Sequence, residues 1–166
     1  MSFKRSQNRE KGAVMLEAAY VLPLVVLAGL FLLETVSYSM NSFAANDVLT
    51  DVHSQIISDV ADVSNSPDGT ASGYAVCTEN RVVLDTSKSA ELTAHVKEAL
   101  EAKKVTFVSG QPLVASISAR PISGFDVYVI NFKGTANSLV LPDILEKFLP
   151  INVDTIVSIK DSCTSS

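Results

Sequence analysis

The chain has 166 residues, 47% of them hydrophobic and 19% charged, with a formal net charge of −5. That length accommodates one membrane span and one globular domain of about 100 residues. The acidic balance argues against nucleic-acid binding, and two histidines with two cysteines leave little material for a metal centre.

Charge and hydropathy are distributed unevenly along the chain. Residues 1–12 carry Lys4, Arg5, Arg9 and Lys11 against Glu10, and read as a basic, flexible cytoplasmic leader. Residues 13–34 are a solid apolar run interrupted only by Glu17 near its start and closed by Glu34. As a helix, Ala13 to Leu33 would rise about 30 Å, the thickness of a bilayer's hydrocarbon core. Beyond Glu34, nine basic side chains face fifteen acidic ones. Positive charge before the span and negative charge after it predict a single pass with the N-terminus in the cytoplasm. A buried core helix would show a polar face, which this run lacks. A removable signal peptide would have a shorter apolar region, and the small-x-small triplet Ser42-Phe43-Ala44 lies too far beyond this one. Pro23 removes one backbone bond inside the span, so a kink or a locally melted turn is expected there.

Residues 35–64 change to an amphipathic pattern. Met40, Ala44, Val48, Val52, Ile56 and Val60 recur every fourth position, reinforced by Phe43, Leu49 and Ile57, with Asp47, Asp51, Asp59 and Asp62 between them. This predicts a helix of about 50 residues, half in lipid and half packed on an external domain, with an acidic solvated face. The turn formers Ser64 to Gly69 end it.

Residues 65–166 read as an external α+β domain. Tyr74–Thr78 and Arg81–Asp85 form a predicted hairpin around Glu79-Asn80. Ser89 is the expected cap of a helix to Lys104, with Leu92, Val96 and Leu100 on its inner face. Further strands are expected over Val105–Ser109, Leu113–Ala119, Phe125–Phe132 and Val153–Lys160, broken by Gly110-Gln111-Pro112 and Arg120-Pro121. The dense apolar content of Phe125–Phe132 suits a central strand, and Pro142–Leu149 suits a short helix. The fold expected is thus a long helix whose amphipathic half covers one face of a small antiparallel sheet. Cys77 and Cys163 both fall in the exported part, where an oxidising compartment favours a disulfide over two buried thiols.

Little in the sequence points to catalysis or to a cofactor. His53 and His95 lack ligand-like neighbours, and no phosphate loop, dinucleotide fingerprint or nucleophile elbow is present. The turn Ser64–Gly69 lacks the leading acid of a calcium loop, and Ala75 stands where its bidentate glutamate would be. The informative residue is Glu17, because an ionised acid inside a membrane helix costs about 3 kcal/mol.

Gly12 stands five positions before Glu17, and Gly12-Ala13-Val14-Met15-Leu16-Glu17 resembles the cleavage site of type IV prepilins. Glu17-Ala18-Ala19-Tyr20-Val21-Leu22-Pro23 further resembles the start of the TadE/TadF minor pilins of the tight-adherence, Flp-type pilus, where a proline follows six positions after the glutamate. Ala18 stands where some processed members have tyrosine, and Tyr20 comes two later. The resemblance covers roughly residues 11–43. It implies a pilin-like fold in the bacterial inner membrane, cut between Gly12 and Ala13 by a prepilin peptidase on the cytoplasmic side. Glu17 would then be the assembly charge, set against the new amine of a neighbouring subunit. The implied partners are the peptidase, other pilin subunits through the apolar helix, and the inner-membrane assembly platform, with roles in adhesion and biofilm formation. The alternative is a signal-anchored envelope domain that binds a ligand or envelope partner without being cut.

Overall fold

The computed structural model describes residues 4–66, 72–122, 125–138 and 150–164. It is an α+β fold: one long N-terminal helix, then a small domain built on antiparallel sheet.

The helix, α1, runs from Lys4 to Asn65, 62 residues, or about 93 Å at 1.5 Å per residue. It is longer than the expected 50 residues because the basic segment from Lys4 onward is helical rather than a flexible leader. That segment is rich in Lys, Arg, Gln and Glu, which are good helix formers, and extending an existing helix avoids a second nucleation. α1 also runs through Pro23 without a melted turn, the second of the two expected outcomes there.

The buried face of α1 consists of Ala45, Val48, Leu49, Val52, Ile56, Val60 and Val63. The every-fourth-residue stripe inferred from sequence holds from Ala44 to Val60 and fails at Met40, which is exposed; of the residues expected to reinforce it, Leu49 is buried whereas Phe43 and Ile57 are exposed. The reason is geometric: a strict spacing of four gains about 40° per step and winds off any one face, whereas mixed steps of three and four stay on it. Asp59 is a second correction. It was expected on the solvated acidic face, but it is buried.

After α1 comes the predicted hairpin, with β1 (Ala75–Thr78) antiparallel to β2 (Arg81–Leu84). Glu79 and Asn80 both have positive φ, 50° and 63°, which is the type I′ geometry of a two-residue hairpin. A 3₁₀ turn, Thr86–Lys88, leads into α2, Ser89–Ala102. Asp85 caps the 3₁₀ turn, its carboxylate accepting the Ser87 N–H at 2.9 Å; the N-cap of α2 is Lys88, which makes no side-chain cap bond, and Ser89, the expected cap, is the first residue of the helix and donates to the Thr86 carbonyl. Leu92, Val96 and Leu100 are the buried residues of α2, as the sequence predicts. Its end is a Schellman closure: the Val105 and Lys104 amides bond the Leu100 and Glu101 carbonyls, with Lys104 in the left-handed region at φ 65°.

The main sheet has the order β3-β4-β5, where β3 is Val114–Ile122, β4 is Phe125–Gly134 and β5 is Ile151–Ile159. Both pairings are antiparallel, and the apolar β4 is the central strand. β3 continues through Arg120-Pro121, where the sequence suggests a break. An edge strand tolerates proline because one side of its ladder is unpaired. The strand expected over Val105–Ser109 is instead a short contact, with Val108 N–H bonded to Thr135 O and Asn137 N–H to Thr106 O. The turn at Gly110, φ 83°, ends it. The helix expected over Pro142–Leu149 lies outside the described residues.

α1 lies over β5 and α2 over β3, both on one face of the sheet. Ile130, Phe132 and Val157 of the sheet meet Val48, Val52 and Ile56 of α1 and Leu92 and Leu100 of α2 in one core.

Candidate functional site: the apolar helix and its carboxylates

α1 projects beyond the domain with its apolar side chains uncovered. Leu22, Leu24, Val25, Leu27, Phe31 and Leu32 are each 61–71% exposed. An eighteen-residue window reaches a mean hydropathy of 2.1 with 6% of it buried. The core helix of a soluble domain would be mostly buried, so this one is long and apolar enough to cross a membrane and is not covered by its own chain.

Two carboxylates bracket the run. Glu17 is exposed among apolar neighbours near its start. Glu34 closes it and behaves differently: its side chain is buried, and its Oε2 accepts the Ser138 hydroxyl at 2.6 Å. One turn on, the Tyr38 hydroxyl donates to the Pro150 carbonyl. Glu34 and Tyr38 therefore mark the level at which the domain begins to hold the helix. Glu17 and Glu34 stand about 25 Å apart along the axis, at 1.5 Å per residue. The sequence reading treated Glu34 only as the end of the span; the signal available was an acid closing an apolar run, without any hint of its partner.

Gly12 and Ala13 both lie within α1. A peptidase needs an extended strand in its cleft, so cutting there requires local unwinding, which glycine eases by about 1 kcal/mol relative to alanine. Pro23 lies six positions beyond Glu17, inside the uncovered part of the helix.

On the domain, Cys77 and Cys163 form a disulfide with their Cα atoms 5.9 Å apart. It ties β1 to the C-terminal segment, which also pairs with the hairpin through Val82 N–H to Asp161 O and Cys163 N–H to Asn80 O. Arg81 and Asp126, 2.8 Å apart, join the hairpin to β4. Lys103 at the end of α2 pairs with Asp47 of α1, which raises the lysine's pKa.

The histidines serve packing contacts: His53 Nδ1 lies 3.1 Å from Thr155 Oγ1, and His95 Nδ1 lies 3.4 Å from the Tyr74 hydroxyl. Among the described residues, no three of the His, Cys, Asp and Glu side chains stand close enough to hold a metal ion. The surface depressions are lined by groups such as Phe107, Gln111 and Asn137, or Asn46, His53 and Asp154. Comparison of the chain with protein-family models, curated proteins and solved structures finds no match.

Proposed function

We propose that this chain is a minor pilin or pseudopilin of a tight-adherence, Flp-type pilus, held in the bacterial inner membrane until it is cut after Gly12 and assembled. The observation that carries the reading is Glu17: a lone acid five positions after Gly12, on a helix whose apolar surface is uncovered. If the level of Glu34 marks the outer edge of the hydrocarbon, a core of about 30 Å puts Glu17 about 5 Å inside it. A carboxylate there costs about 3 kcal/mol without a partner. The amine freed at Ala13 of a neighbouring subunit supplies one, and charge pairing in a low-dielectric bundle fixes the axial register between subunits. The external domain then acts as a tip or packing module of a filament used in adhesion and biofilm formation. Assembly engages the prepilin peptidase, the inner-membrane platform and other pilin helices; no cofactor and no catalysis enter.

The test is the intact mass of the protein extracted from membranes of peptidase-competent cells. A species beginning at Ala13 supports the proposal. A chain retaining the leader overturns it in favour of a signal-anchored envelope domain.

A further inference from the structure

The two edges of the main sheet are finished differently. On β3, the Ala115 N–H and C=O both bond the Thr93 hydroxyl of α2, and the Ile117 N–H donates to the Ser89 hydroxyl. Further along, Pro121 has no N–H to offer. These bonds also fix what β5 shows to solvent. Because Ala115 and Ile117 bond outward, β3 pairs with β4 through Val114, Ser116 and Ser118, opposite Lys133, Asn131 and Val129. β4 then turns Phe132, Ile130 and Tyr128 towards Val153, Thr155 and Val157 of β5. Asn152, Asp154, Ile156 and Ser158 are left with N–H and C=O directed away from the sheet. All four residues are exposed, and none of these backbone groups has a hydrogen-bond partner among the described residues. An open edge is normally shielded by proline, lysine or a covering element. β3 has proline and α2, whereas β5 has no proline or lysine from Ile151 to Ile159.

A row of unpaired N–H and C=O groups is matched along its length only by another extended backbone. We infer that β5 receives an extended segment of a different protein, which joins the three-stranded sheet as an antiparallel strand. A second copy of this chain does not fit. Its β3 edge is closed. β5 runs in the same direction as α1, since Tyr38 meets Pro150 and His53 meets Thr155. Copies anchored in one bilayer therefore present β5 edges that point the same way, which forbids an antiparallel pair. A parallel pair needs one strand offset by a residue, which a two-fold axis along the membrane normal does not give. The edge also defines the chemistry of its partner. Ile156, 60% exposed, sits beside the half-buried Val129 and calls for an apolar β-branched residue opposite. Asp154, which forms no salt bridge among the described residues, calls for a cation two positions further on. The intervening side chain falls on the other face, over a depression of about 260 Å³ lined by Asn46, Leu49, Thr50, His53, Asp154 and Thr155.

The membrane span of the proposed function enters this inference only to exclude self-pairing; cutting and a pilus do not enter. The test uses the full chain, isotope-labelled in detergent micelles, and a capped heptapeptide, acetyl-Thr-Thr-Val-Thr-Lys-Thr-Thr-amide. Antiparallel to β5, this peptide sets valine opposite Ile156 and lysine opposite Asp154. At millimolar concentration it should saturably shift the amides of Asn152, Asp154, Ile156 and Ser158 and slow their hydrogen exchange. The amides of Val114–Ile122 should not respond. Methylating the valine and lysine backbone nitrogens should abolish binding. Asp154→Lys should weaken the peptide and favour its version with glutamate for lysine, each by about two- to fivefold, with the Cys77–Cys163 pair intact. No response at β5, an equal response at β3, undiminished binding of the methylated peptide, or an unchanged preference in Asp154→Lys would each overturn it. So would edge amides already protected without peptide, which would mean that a second copy or residues 139–149 cover the edge. Failure of the pilus reading looks different: an uncut chain in peptidase-competent cells, with the titration unchanged.

Discussion

The Asp59 carboxylate accepts the Tyr74 backbone N–H at 2.9 Å, in a space open only because residue 73 is glycine. A Cβ on Gly73 would come within 2.0 Å of Asp59 Oδ2, and its φ of 49° already favours glycine. The contact pins the start of the hairpin to α1, and Lys88 reinforces it by donating to the Gly73 carbonyl. Asp59→Ala leaves a buried amide unpaired and should cost about 1–3 kcal/mol. Gly73→Ala should cost at least as much, since a side chain in the left-handed region adds about 1–3 kcal/mol to the clash. Thermal unfolding of the detergent-solubilised chain checks both.

The Cys77–Cys163 disulfide closes a loop with a sequence separation of 86. Chain-entropy arithmetic gives it an upper value of about 4–5 kcal/mol. Cys77→Ser should release one titratable thiol at Cys163, slow the chain's migration on a non-reducing gel and lower its unfolding temperature.

Lys104 ends α2 in a conformation that normally belongs to glycine. Lys104→Gly should stabilise the domain by about 0.5–1 kcal/mol, the relief of left-handed strain less the added freedom of the unfolded chain. Denaturant titration with an unchanged slope would establish it.

The acid limb of stability should involve Asp85. Its carboxyl is held below the usual 3.8 by the Ser87 hydroxyl and N–H, with Lys88 adding a smaller pull. A depressed folded pKa contributes stability that is present above the unfolded value and is lost as pH falls below 3.8. Asp85→Asn should flatten stability against pH in that window and leave it unchanged in shape near neutrality. At the other extreme, burial raises the hydroxyls of Tyr74 and Tyr128 above 10.0. Their contribution is present below that value and is lost as pH rises past it. Tyr128→Phe should therefore move the alkaline limb.

Under the proposed function, processing and assembly are separable at Gly12 and Glu17. A bulky residue at Gly12 should leave the leader attached in peptidase-competent cells. Glu17→Val should still be cut, yet be missing from sheared pili; its presence there in normal amounts would remove the charge-pairing argument.

Local chemistry explains what was legible beforehand. The hairpin, the inner face of α2 and the central place of β4 all follow from patterns a few residues long, and two cysteines allow only one intrachain pairing. Asp59 was misread because an acid between apolar positions looks solvated until Gly73 and Tyr74, fourteen and fifteen positions later, fold onto it. Val105–Ser109 has strand composition, but its neighbour at 135–137 offers too few partners for a ladder. Met40 and Phe43 joined the wrong stripe because apolarity alone does not say which side of a helix the domain takes. The burial of Glu34 depended on Ser138, 104 positions away, which no local pattern carries.

The disulfide also decides how the molecule responds to mechanical load. A pull between α1 and the C-terminal segment reaches Cys163, crosses to Cys77 and enters the hairpin, so β3, β4 and β5 lie off the line of force. While the bond holds, the separation of 86 between its ends, about 290 Å of extended chain, cannot be drawn out. Reduced, the same chain would lengthen by unzipping its main sheet; oxidised, it behaves as a short tether with little give.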